Sequence, residues 1–147
     1  MSFGIAAIAA VNPMRLPEGR EGPYTFRSAV EAAQLRRSAR GAGRTVAPRV
    51  FQYEFQLATN PVLLDVRRPH EFAAGKIEGA RLLDYYAADF KEKLAALPRN
   101  GIHFIYCRSG GRSGDVLKMM EQMGFAKIFN LAGGIEAWKS EGLPVVK

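Results

Sequence analysis

The stretch CRSGGRS, Cys107 to Ser113, holds the only cysteine of the chain. Arg108 and Arg112 flank its turn, Ser109 and Ser113 offer hydroxyl hydrogens, and Gly110 and Gly111 stand side by side. Adjacent glycines permit a tight turn with positive φ, so that successive backbone N–H groups point to one centre. Each of these features stabilises negative charge on sulfur. A free thiol titrates near ~8.5, and surroundings of this kind lower it to between roughly 3.5 and 7.5. Cys107 is therefore expected to be a thiolate nucleophile. A lone cysteine after an apolar run is by default a small core residue. A core position is seldom followed by Arg-Ser-Gly-Gly-Arg-Ser, which favours the reactive reading.

The elements around the loop place it. IHFIY, 102–106, is a continuous apolar run of the buried-strand type, and a helix is predicted from about Arg112 to Met123, with Gly124 as its cap. The helix start adds unpaired N–H groups and the positive end of its dipole beside Cys107. VLLDV, 62–66, and KIFNL, 127–131, read as two further buried strands, and RTVA, from Arg44, as a short one. Helices are predicted from Pro48 to about Ala58, over RPHEFAAG up to Gly75, over YYAADFKEKLAAL (85–97), and over GGIEAWKSEG (133–142). Alternating strands and helices imply an α/β fold, a central parallel sheet with helices on both faces. Ligands collect at the carboxyl ends of such strands, which is where Cys107 falls.

Composition narrows the function classes. The 147 residues suit one domain with a real core, and 48% hydrophobic with 24% charged residues is ordinary for a globular protein. One cysteine excludes a disulfide framework and a cysteine-rich zinc site, and two distant histidines, His70 and His103, make a histidine metal cluster unexpected. The apolar run FGIAAIAAV is about half a membrane span, and no basic residue precedes it, so neither a membrane anchor nor a signal peptide is expected. The net charge of +7 is spread along the chain without a cluster of basic and aromatic residues, so no nucleic-acid partner is expected. A mildly basic field favours small anionic substrates.

The composition changes near residue 45. Residues 1–44 are rich in Pro, Gly and Arg and read as an irregular or mobile extension. Within it YTFRSAVEAAQLRRSAR could form one amphipathic helix through Phe26, Val30, Ala33 and Arg37. Arginine, serine and alanine without lysine have some character of an organelle presequence, against which the glutamates count. Residues 45–147 form the expected domain. A reactive thiol needs a reducing compartment, so the cytoplasm is expected, with a mitochondrial or other organelle matrix as the alternative.

From about Arg44 to Lys147 the sequence resembles the single-domain rhodanese family of sulfurtransferases. VLLDVRRPHEFAAGKIEGA is similar to the family's L-x-D-V-R-x-x-x-E-F-x-x-G-H-I-x-G-A segment, YCRSGGRS to its cysteine-led active loop, and MGFAKIFNLAGGIEAWKSEGLPV to its closing segment. Three pieces in the right order make the resemblance specific. It implies a rhodanese-like fold and a cofactor-free mechanism. Cys107 takes the outer sulfur of thiosulfate or a similar donor, becomes a persulfide, and passes the sulfur to a thiol, to cyanide or to a sulfur-relay protein. Amides from Arg108 to Ser113 would hold the charge. Arg112 would close the loop and Arg108 would face the donor. Asp65 and Arg67 would support the loop, a structural salt bridge being the plainer reading for them. Lys76 and Glu78 depart from the family's histidine and proline, at positions not expected to be catalytic.

Other residues have plain roles. Glu71 and His70 suit the start of their helix, His103 a satisfied core position, Ile135 and Trp138 the core, and Gly133 and Gly134 a tight turn near the site. Two other functions use the same residues. A cysteine phosphatase or arsenate reductase would need a C-x-x-x-x-x-R loop, one residue longer than Cys107–Arg112. A non-catalytic interaction module would have no need of a nucleophile.

Overall fold

The computed structural model describes residues 41–147. The stretch read as a candidate amphipathic helix, 24–40, and the segment with some presequence character lie outside them. The elements are β1 (Gly43–Val46), α1 (Pro48–Leu57), β2 (Val62–Asp65), α2 (Pro69–Ala74), β3 (Arg81–Leu82), α3 (Phe90–Ala95), β4 (Ile102–Tyr106), α4 (Gly111–Gln122), β5 (Lys127–Leu131) and α5 (Gly134–Ser140).

The strands form one five-stranded sheet in the order β1-β5-β4-β2-β3. Every strand pair in it is parallel, and one row runs Leu64, Ile105, Asn130, Thr45 across four strands. Both faces are covered, which explains why the strands read as unbroken apolar runs. Phe104, Tyr106, Phe129 and Leu131 pack on one face with Phe51 of α1 and Trp138 of α5. Ile105 and Ile128 face the other way, against Phe90 and Leu94 of α3 and Val116 and Met120 of α4. Phe51 is 1% exposed and meets Phe104 and Trp138 edge-on, at 5.3 and 6.2 Å between ring centres. Truncating such a side chain to alanine costs about 3–5 kcal/mol.

The strand order places the site. From β2 the chain moves outward to β3, then returns to the far side of β2 to build β4 and β5. Connections thus leave β2 and β4 in opposite directions, which opens a crevice between their carboxyl ends. The segments after Asp65 and after Tyr106 meet there, joined by the Val66 N–H donating to the Tyr106 carbonyl at 3.0 Å.

Two expectations need correction. The helix predicted over 85–97 is only Phe90–Ala95. Asp84 diverts the segment before it: its carboxylate accepts the Tyr86 N–H at 2.9 Å and its carbonyl accepts the Ala87 N–H at 3.0 Å. The Tyr85 N–H meanwhile reaches back to the Val66 carbonyl at 3.2 Å. Local side-chain bonds of this kind compete with helix formation. The edge strand β3 is the other difference, and two residues are too few for any periodicity to announce. At the end of α4 the chain behaves as its residue types predict. Gly124 has φ of 88°, and the Phe125 N–H returns to the Met120 carbonyl at 3.1 Å, a left-handed helix stop.

Candidate active site

Cys107 follows β4, and α4 begins four residues later. Gly110 supplies the turn with φ of 113°, whereas Gly111 is already helical and has no positive φ. Only the first of the two glycines is therefore demanded by backbone conformation. The turn brings three donors to the Cys107 Sγ: the Gly110 N–H at 3.1 Å, and the Ser113 N–H and hydroxyl, each at 3.4 Å. Burial pushes the thiol pKa up. The Ser113 hydroxyl and the amides of Ser113, Gly110 and Ser109 outweigh it, and the net direction is down. A thiolate is favoured by hydrogen bonds to its charged form, despite the burial of the sulfur.

The thiol itself is buried. Cys107 is 1% exposed and touches the apolar cluster that includes Val66, Leu83 and Val116. The sulfur thus sits between hydrocarbon below and hydrogen-bond donors around it. Arg108, Ser109 and Gly111 are exposed, so the loop itself is at the surface. Of the two serines expected to donate hydroxyl hydrogens, Ser113 does so, and Ser109 contributes through its backbone.

Each loop arginine is held by a carboxylate from another element. Arg112 forms a two-pronged pair with Glu71 of α2, at 2.9 and 3.2 Å. Glu71 also accepts the Arg68 N–H at 3.0 Å, so it starts its own helix, as the sequence predicts, and grips the active loop as well. The Arg112 hydrogen bond is the main reason its carboxyl pKa is lowered to about 2. Arg108 pairs with Glu136 of α5 at 2.7 Å, and this pair is far more open to solvent.

The turn at Gly133 and Gly134 lies directly against the loop. Both glycines have positive φ, 74° and 64°. The Ile135 N–H donates to the Cys107 carbonyl at 2.9 Å, and the Glu136 N–H to the Arg108 carbonyl at 3.1 Å. A Cβ on Gly134 would lie 2.3 Å from the Arg108 oxygen. With their carbonyls held outward, Cys107 and Arg108 leave the inner side of the turn to N–H groups.

Asp65 and Arg67 face each other rather than the loop. The Arg67 Nε and Nη2 donate to Asp65 at 2.9 and 2.7 Å, and Nη2 also donates to the Gly75 carbonyl at 2.6 Å. Burial would lower the Arg67 pKa, but the bond to Asp65 outweighs it. This buried pair clamps the end of β2 to the end of α2, the plainer of the two roles expected for it. His103 is buried, and its polar contact is with the Gly101 backbone, although neither ring nitrogen makes a well-formed hydrogen bond. Its ring meets Phe125 edge-on at 4.9 Å.

Sequence reasoning missed the carboxylate partners of the two loop arginines. Glu71 was visible only as a helix-start residue and Glu136 only as part of the closing segment.

The family pattern described as Rhodanese-like domain matches residues 53–141. The chain belongs to the rhodanese-like family. A sulfurtransferase of Allochromatium vinosum is 38% identical over 85 residues, covering 58% of this chain and 78% of that protein. The thiosulfate sulfurtransferase GlpE of Stutzerimonas stutzeri is 34% identical over 79 residues, 53% of this chain and 70% of its own. The crystal structure of a rhodanese-related protein from Thermoplasma volcanium superposes with a TM-score of 0.62 at 28% identity, over 70% of this chain and 97% of that one. This rhodanese-like domain therefore has sulfurtransferases among its relatives. Among its described residues no helix is long and apolar enough to cross a membrane.

Proposed function

We propose that the protein is a sulfurtransferase that carries sulfane sulfur on Cys107. The observation that carries this reading is the set of donors on one sulfur: Gly110 N–H, Ser113 N–H and Ser113 Oγ. In the first half-reaction the Cys107 thiolate attacks the outer sulfur of a donor such as thiosulfate. A new S–S bond forms, the bond from that sulfur to the sulfonate breaks, and sulfite leaves with the electron pair. The persulfide is an anion of the same charge, displaced outward by one sulfur. Preorganised N–H donors hold it without reorganisation, as an oxyanion hole holds oxygen. In the second half-reaction an acceptor thiolate or cyanide takes the outer sulfur, and the Cys107 thiolate is restored.

The ring of amides supports sulfur rather than phosphoryl chemistry. Ser113 stands where a phosphatase loop would carry its arginine, and Arg112, one position earlier, is held by Glu71. The donor is proposed to be small and anionic, the acceptor a thiol or a sulfur-relay protein, and the compartment reducing, the cytoplasm first. Intact-mass spectrometry after incubation with thiosulfate tests the reading. Wild type should gain about 32 Da, one sulfur atom, and Cys107→Ser should gain nothing. No adduct with thiosulfate or with cysteine persulfide would overturn it.

A further inference from the structure

The two loop arginines are held very differently. Arg112 and Glu71 are 19% and 17% exposed and joined by two hydrogen bonds, so Arg112 is committed to the protein. Arg108 and Glu136 are 64% and 49% exposed and share a single 2.7 Å contact through the Arg108 Nε. A pair that open to water is weak, so an incoming anion can break it. Arg108 is thus the loop cation that can be released to a ligand. Glu136 is anchored independently of its side chain, because its N–H binds the Arg108 carbonyl.

We propose that the Glu136 carboxylate competes with the donor's anionic group for the Arg108 guanidinium, and so sets how well the site accepts a doubly charged donor. This rests on the persulfide reading. It makes Glu136 a positioning residue that acts through Arg108 and Arg108 the donor-selecting contact. A dianion such as thiosulfate must displace the Glu136 carboxylate, whereas the Glu71 carboxylate is already paired with Arg112. A donor without a sulfonate, such as cysteine persulfide, whose carboxylate is offset by its own ammonium group, leans less on Arg108. The two classes of donor should therefore respond differently to loss of the Glu136 charge.

Steady-state kinetics on Glu136→Gln, Arg108→Gln and the double variant test this. The glutamine keeps the size and the backbone bond and removes only the charge. With thiosulfate, E136Q should lower KM about two- to fivefold with kcat held within about twofold, as an exposed pair of this strength implies. The gain should vanish at high salt, since exposed charges are screened there. In the Arg108→Gln background the E136Q substitution should change nothing, and with cysteine persulfide E136Q should leave KM within about twofold. An unchanged thiosulfate KM in E136Q, or an equal drop with Arg108 absent, would overturn the proposal. Loading of Cys107 by cysteine persulfide in every variant would show that the persulfide reading survives such a failure. If no donor loads Cys107, the failure lies in that reading instead.

Discussion

The Ile135 N–H donates to the Cys107 carbonyl at 2.9 Å, joining the start of α5 to the nucleophile. The bond fixes which way the loop faces: a carbonyl tied outward cannot crowd the sulfur. Its existence depends on Gly134, where the chain turns with φ of 64° within van der Waals distance of the loop backbone.

Gly134→Ala should therefore be severe. The new methyl would overlap the Arg108 carbonyl at 2.3 Å and the Cys107 carbonyl at 2.6 Å, in a backbone region that alanine avoids. A loss of about 2–4 kcal/mol is expected in denaturant melts, from strain and displaced backbone together. Gly111→Ala is the matched comparison. Beyond its chain neighbours and its own helical turn no atom lies within 4 Å of its Cβ position, and its φ is not positive, so its stability should stay within about 1 kcal/mol of wild type.

Ser113→Ala removes the hydroxyl from the Cys107 sulfur and leaves the Ser113 N–H in place. A hydrogen bond to a charged group is worth about 1.5–3 kcal/mol, so persulfide formation should slow about 10- to 100-fold. The pH dependence of alkylation should move upward in the same variant, because a donor to the charged form has gone.

Glu71→Gln should weaken the link between α2 and the active loop by about 1–2 kcal/mol, between the values for exposed and buried pairs. The acid limb gives the sharper reading. The folded-state pKa of Glu71 is depressed from 4.5 to about 2, so its stabilisation is present above 4.5 and is lost as pH falls toward 2. Thermal melts of wild type should show that loss, and E71Q should lack this contribution to it.

His103 acts in a different window. Burial is the main cause that lowers its pKa, the Gly101 backbone opposes it, and Arg81 and Arg99 add to it. An imidazole kept neutral when folded takes up its proton on unfolding, so stability falls as pH drops below about 6.5. His103→Leu should flatten that stretch of the melting curve. It should also raise stability near pH 7 by about 1 kcal/mol, since a buried ring without a well-formed hydrogen bond is replaced by hydrocarbon.

What could be read in advance was local. The strands Ile102–Tyr106 and Lys127–Leu131 and the turn at Gly110 announce themselves because apolar runs and glycine conformations are properties of neighbouring residues. The donor set on Cys107 lies within six residues of it, so the sequence contained it almost whole. The pairs Arg112–Glu71 and Arg108–Glu136 span 41 and 28 residues, and only the strand order decides that these segments share one edge of the sheet. The burial of Cys107 was hidden for the same reason, since the apolar cluster it belongs to draws residues such as Val66, Leu83 and Val116 from separate segments. The overlong helix before Pro98 shows a different limit. Its apolar period was real, but Asp84 offered the backbone a competing bond.

The most direct test of the account is the ultraviolet titration of the Cys107 thiolate, read as the absorbance difference between wild type and Cys107→Ser across pH. A midpoint clearly below that of a free cysteine, near ~8.5, is the predicted result, since the Ser113 and Gly110 donors outweigh burial. A midpoint at or above the free-cysteine value would mean that burial wins, and the thiolate chemistry proposed for this loop would be contradicted.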